Sequence, residues 1–178
     1  MDKQAVHDDL DRAYATFRLL LDGAGEADLR RASNGTRWTN QQLLFHMLLG
    51  YLIMQALLRV VRLFGRLPSG ASRAYARLLN AATRPFDTVN YAGSCLGGKI
   101  LGERRMIVMF GRAVAMLHRR LDTETDTDLA RGMHYPDRWD PFFGEFMTLA
   151  DIYRFPTQHF DFHRRQLTLS AASEPDDT

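Results

Sequence analysis

Two histidines stand four residues apart in TQHFDFHRRQL, residues 157–167. On a helix, positions i and i+4 sit one above the other on one face, so His159 and His163 direct their ring nitrogens toward one point. That point suits a metal ion, because neutral imidazole is the commonest side-chain metal ligand. At about 100° per residue, Ile152, Phe155, His159, Phe162, His163 and Gln166 share one helix face. Arg154, Thr157, Asp161, Arg164 and Arg165 fall on the other. The same wheel applied to WTNQQLLFHMLLGYL groups His46 with Gln42, Leu49, Gly50, Ile53 and Leu57. A single core histidine is most often bonded to a carbonyl and does nothing more. Three on core-facing stripes point to a divalent-metal site, since each buried imidazole left unpaired would cost stability.

The elements that must carry these residues are helical nearly throughout. A first helix is predicted over residues 5–21, with Leu10, Ala13, Phe17, Leu20 and Leu21 at helical spacing, ended by GAG at 23–25. Thr39 and Gln42 form a capping-box signature for a second helix reaching about Phe64, where GRLPSG stops it. A weaker helix is expected within 71–90, broken near Arg84-Pro85 because the residue before proline disfavours α geometry. The glycines of GSCLGGK precede a long helix over about 100–121, DTETDTD reads as a solvated loop, and PDRWDPFFGE as irregular structure. Thr148 and Asp151 open the last helix, which Pro156 should kink. No strand alternation is evident. The reading is all-α: a four-helix bundle with one long crossover segment, as a single domain over 1–169, followed by a flexible acidic tail over 170–178. Its core is expected at Leu10, Phe17, Leu49, Ile53, Leu57, Val114, Leu117, Phe155 and Phe162.

With these residues in place, the chain resembles the DinB-like proteins, a family of four-helix-bundle metalloproteins. The resemblance rests on His46 in WTNQQLLFHM and on His159 and His163 in HFDFHRRQL, with Gln166 at the family's usual glutamine. It implies one metal ligand from the second helix and an H-x-x-x-H pair from the last. It also implies kinship with thiol-dependent transferases that use mycothiol, bacillithiol or glutathione-type thiols. Two features depart from the family pattern: Pro156, one turn before the first ligand of the pair, and the PDRWDPFFGE insert. The function expected is a divalent-metal protein, with Zn, Ni or Fe as the ion, acting as a thiol-dependent S-transferase on electrophilic small molecules. The alternative is a non-catalytic, homodimeric, stress-related metal- or ligand-binding protein.

Other residues are ranked around that site. Gln166 is a candidate catalytic residue, either behind a ligand or touching substrate. His134, in GMHYPDRW, is the other, a fourth ligand or general base on a loop over the bundle mouth. Gly50, one turn beyond His46, is read as the gap that keeps that mouth open. His7 and His118 are read as surface residues, Asp161 as a surface ion pair, Cys95 as a small buried hydrophobe, and Met47, Met54 and Met116 as core filler.

Composition narrows the classes further. With 46% hydrophobic and 25% charged residues in 178, the chain can bury a core without disulfides or structural metal. A net charge of +2, with basic residues dispersed along the chain, argues against a nucleic-acid partner. One cysteine excludes an intramolecular disulfide framework and fits a cytoplasmic location, as does an N-terminus without a signal-like apolar run. Residues 43–64 are apolar but interrupted by His46, Gln55, Arg59 and Arg62, so a buried helix is expected there rather than a membrane span.

Overall fold

The Asp2 carboxylate accepts from the Ala5 N–H and starts α1, Lys3–Asp22, which buries Val6, Leu10, Ala13, Phe17 and Leu21 along one stripe. After a short α2, Glu26–Arg30, the expected capping box of Thr39 and Gln42 opens α3, Asn40–Leu52. A single turn residue, Ile53, its backbone still in the right-handed helical region, separates this helix from α4, Met54–Phe64. The other two bundle helices are α7, Glu103–Thr123, and α9, Leu149–Arg164, the latter opened by the Thr148–Asp151 capping box. α9 is a single helix through Pro156. This computed structural model describes residues 1–170. Of the expected tail, Ser170 packs its hydroxyl 3.0 Å from Asp28 Oδ1, and the remainder lies outside the described residues.

Helices α1 and α3 each pack against both α7 and α9, closing a four-helix bundle in the order α1, α7, α3, α9. Its centre is aromatic: Phe17, Tyr51 and Phe160 surround the Phe110 ring at centroid distances of 4.7, 4.2 and 6.0 Å. Leu44, Met47, Leu48 and Tyr51 of α3 are wholly buried, so its central position accounts for its two apolar faces. By length and composition Asn40–Phe64 passes for a membrane span; in the fold it is the inner helix of the bundle. On α9, Thr157 is buried rather than solvent-facing, its hydroxyl 3.4 Å from that of Tyr51. Asp161 pairs with Arg12 of α1 at 2.9 Å, as the wheel indicates.

The crossover between α4 and α7 departs from the sequence expectation in an informative way. It holds two helices, α5, Ser69–Ala81, and α6, Thr83–Ile100. The break falls at Ala82 rather than at Arg84-Pro85, and Pro85 sits in the first turn of α6, where its missing N–H costs nothing. α6 then runs straight through GSCLGG. Those glycines are packing surface, not a stop signal. A Cβ on Gly98 would lie 2.9 Å from the Gln42 Cα, and one on Gly97 would enter the Phe45 ring, so bare backbone lets α6 press against α3.

Between α7 and α9 lie a short α8, Asp126–Leu129, and an unexpected antiparallel pair, β1, Gly132–His134, with β2, Phe146–Thr148. The irregular stretch 135–145 forms the loop joining them. Within the supposedly solvated DTETDTD, Glu124 is buried, ion-paired with Arg62 of α4 and accepting from the Tyr153 hydroxyl at 2.9 Å. Beyond α9, residues 165–170 run back over the start of α3. There Asn40, fully buried, donates to Asp28 O and Thr168 Oγ1 and accepts from the Thr168 N–H. This strap places the end of α9 beside His46.

Gly98→Ala tests the α3–α6 contact. Alanine improves helix propensity by about 1 kcal/mol, but here the neighbour is backbone, and overpacking costs typically about 1–3 kcal/mol. Urea unfolding should show net destabilisation; a stabilised variant would mean that α6 does not lean on α3.

Candidate metal centre

Two helices bring the three histidines together. His46 comes from α3, His159 and His163 from successive turns of α9, and all three are buried, with exposures of 6, 5 and 9%. Their ring centroids are 4.5–4.9 Å apart, and one ligand nitrogen from each lies within 4.8 Å of the others. Such a trio of imidazoles could hold a metal ion.

Each Nδ1 is engaged from outside the cluster. His46 Nδ1 is 3.2 Å from Ser94 Oγ on α6, His159 Nδ1 is 2.9 Å from Asp140 Oδ2 in the β1–β2 loop, and His163 Nδ1 is 2.7 Å from Gln166 Oε1. A carboxylate or amide oxygen accepts only from a protonated Nδ1, so Asp140 and Gln166 leave Nε2 with its lone pair free. The His159 Nε2 is buried and has no partner among the described residues. An orphaned imidazole nitrogen costs about 1–3 kcal/mol. A cation among the three rings would remove that cost, so the donor set fits a metal on the structure's own terms.

Burial, reinforced by the neighbouring His159, pushes the His46 imidazole down to about 2 and the His163 imidazole down to about 4. Both are neutral, hence able to ligate, across the physiological range.

The histidines form one wall of a chamber of about 590 Å³, a size typical of small-molecule sites. Leu49, Ile53, Leu57 and Phe162, expected in the core, line this chamber instead and are only partly buried or exposed. They share the histidine face, and that face looks onto the cavity. Its roof is the β1–β2 loop: Trp139 stacks on Phe86 of α6 with centroids 3.9 Å apart and donates through Nε1 to Leu79 O. Trp38 lies over His46 at 4.5 Å.

The remaining candidates divide. Gln166 hydrogen-bonds the His163 ring. His134 does not join the site: β1 alternates, so Met133 points inward while the His134 ring meets Phe146 and faces Arg73 Nη2 at 3.3 Å. The loop after it does cover the chamber, but the residue it delivers is Asp140. Gly50 lines the chamber and abuts the His159 ring, since a Cβ there would lie 3.2 Å from His159 Cδ2. Cys95 is partly buried, not buried, while Met47 and Met54 are core. His7 and His118 are not bare surface groups: they stack on each other and pair with Asp122 and Asp11. Asp140 and Ser94 had no sequence signal, since a loop carboxylate and a helix serine become partners only through tertiary contact.

The low values at His46 and His163 set a pH dependence for the metal-free protein. Below about 6.5 the unfolded chain binds protons that the folded protein refuses, so stability falls with pH. The loss should run from about 6.5 down to about 4 for His163 and further for His46, by up to about 1.4 kcal/mol per pH unit for each group. Urea unfolding of chelator-treated protein between pH 7 and 5 should show this slope, and His163→Gln should flatten it. Identical slopes would remove the buried neutral imidazole as its cause.

Comparison with known proteins agrees with this arrangement. Neither the curated proteins nor the solved structures returned a match. The family model described as the DinB superfamily matches residues 9–167 and so spans the bundle, the crossover and all three histidines. The chain belongs to the DinB superfamily.

Proposed function

We propose that this protein binds a divalent metal through His46, His159 and His163 and uses it to activate a low-molecular-weight thiol for transfer to an electrophilic small molecule. The observation that supports this reading above all is the buried, unpartnered His159 Nε2 beside two further neutral imidazoles at the wall of a large chamber. Three imidazoles leave coordination positions open, as catalytic sites do and closed structural sites do not. Zn, Ni and Fe all suit such a donor set.

The ion supplies Lewis acidity that favours the thiolate form of a bound thiol near neutral pH. The chain supplies the rest. Asp140 and Gln166 fix the tautomers of His159 and His163, Ser94 orients His46, and Gly50 admits the His159 ring. The apolar walls exclude water that would compete as nucleophile. The net reaction is RSH + R′X → RSR′ + HX: a C–S bond forms, the C–X bond breaks with its electron pair leaving on X, and the thiol proton leaves with it.

The core closes without the ion, so chelated protein and His159→Ala should both keep their helices by circular dichroism and unfold cooperatively. The holo protein should be more stable by the binding linkage. Elemental analysis should show His159→Ala losing most of its metal, and Asp140→Ala binding it about 10–100-fold more weakly, the usual loss for a partner behind a ligand. Thiol-dependent consumption of an electrophile should fall with it. Full metal and full turnover in His159→Ala would end this assignment, and metal without any turnover would favour a binding role.

A further inference from the structure

Among the described residues, the walls of the chamber bear no lysine or arginine. Trp38, Leu57, Tyr135, Phe143, Phe155 and Phe162 give its character, and burial raises the Tyr135 hydroxyl well above the ordinary tyrosine range, so it stays uncharged. Among the described residues, Asp140 is the only acidic side chain in the lining and Asn90 the only side-chain amide. Arg37 stacks on Tyr91 in an adjoining polar pocket that it shares with Asp87, and it does not line the chamber.

An anion entering the chamber away from the metal would therefore lose its hydration, find no cation, and face the Asp140 carboxylate. An unpaired buried charge is strongly disfavoured. A neutral apolar molecule meets the opposite situation, since aromatic and aliphatic surface covers nearly every side and each Å² removed from water contributes about 25 cal/mol. We infer that the chamber selects a neutral, largely apolar molecule, aromatic or alicyclic, and rejects anionic ones of the same shape. As the identity of the electrophilic acceptor, this rests on the thiol-transfer reading; as a statement of what the chamber binds, it rests on the walls alone.

A matched pair of fluorescent probes tests it. N-phenyl-1-naphthylamine is neutral, and 8-anilino-1-naphthalenesulfonate adds a sulfonate to the same skeleton. The neutral probe should bind the native full-length protein at one site per chain, at least tenfold more tightly than the sulfonate, with or without metal. Leu57→Trp, which fills the chamber from α4, should weaken that binding at least tenfold with metal content unchanged; Val60→Phe does the same from the next turn if the first variant folds poorly. Equal or tighter binding of the sulfonate overturns the inference, as does neutral-probe binding that neither substitution changes. The two readings separate cleanly. Selective neutral-probe binding in a protein that takes up no metal refutes the metal assignment and leaves the chamber's selectivity standing, whereas metal-dependent turnover that prefers anionic acceptors does the reverse.

Discussion

Much that is distinctive in this fold bears on keeping three imidazoles buried together, with ring centroids 4.5–4.9 Å apart. A bundle of four helices can bring His46, His159 and His163 to one place, but it cannot by itself satisfy their outward nitrogens. Each of the three segments outside the bundle supplies one partner. The crossover helix α6 brings Ser94, the β1–β2 loop brings Asp140, and the turn after α9 brings Gln166. These segments are anchored in turn by contacts remote from the rings: Gly97 and Gly98 against α3, Trp139 against Phe86 and Leu79 O, and Thr168 against Asn40. Decoration of the bundle and organisation of the site are one structural task.

The same requirement explains why two helices have two apolar faces. α9 turns Tyr153 and Phe160 into the bundle core and Phe155, His159 and Phe162 toward the chamber. α3 does likewise, with Tyr51 and Leu48 inward and Leu49 and Gly50 toward the cavity. A bundle with only one apolar stripe per helix would have no wall left for a chamber. The one-residue break at Ile53 lies on that wall, one turn past Gly50.

Much of this was legible because helices write their faces into the sequence with a fixed period. The H-x-x-x-H pair, His46 and both capping boxes are local patterns, and local patterns survive folding. Misreadings arose where a residue's meaning depends on what lies opposite. Glycines in GSCLGG look like a terminator until α3 is known to need bare backbone there. Glu124 looks solvated until Arg62 and Tyr153 are seen to enclose it. His134 was the natural candidate in the loop because histidine advertises chemistry, yet strand alternation turns it outward and the loop's contribution is a carboxylate six residues later.

Asp140 also decides the electrostatic character of the centre. Neutral imidazoles stabilise a cation through lone pairs without offsetting its charge, and in a low-dielectric chamber an uncompensated divalent ion is costly. A carboxylate hydrogen-bonded to the back of His159, as Asp140 is, fixes the ring's orientation and places an acidic group near the site while leaving its open side free. Under the proposed metal reading the charge compensation would be partial, since three imidazoles and one outlying carboxylate would leave a divalent ion with net positive charge. The remaining charge would favour a thiolate over a neutral thiol there. The apolar walls, meanwhile, offer no lysine or arginine to another anion among the described residues.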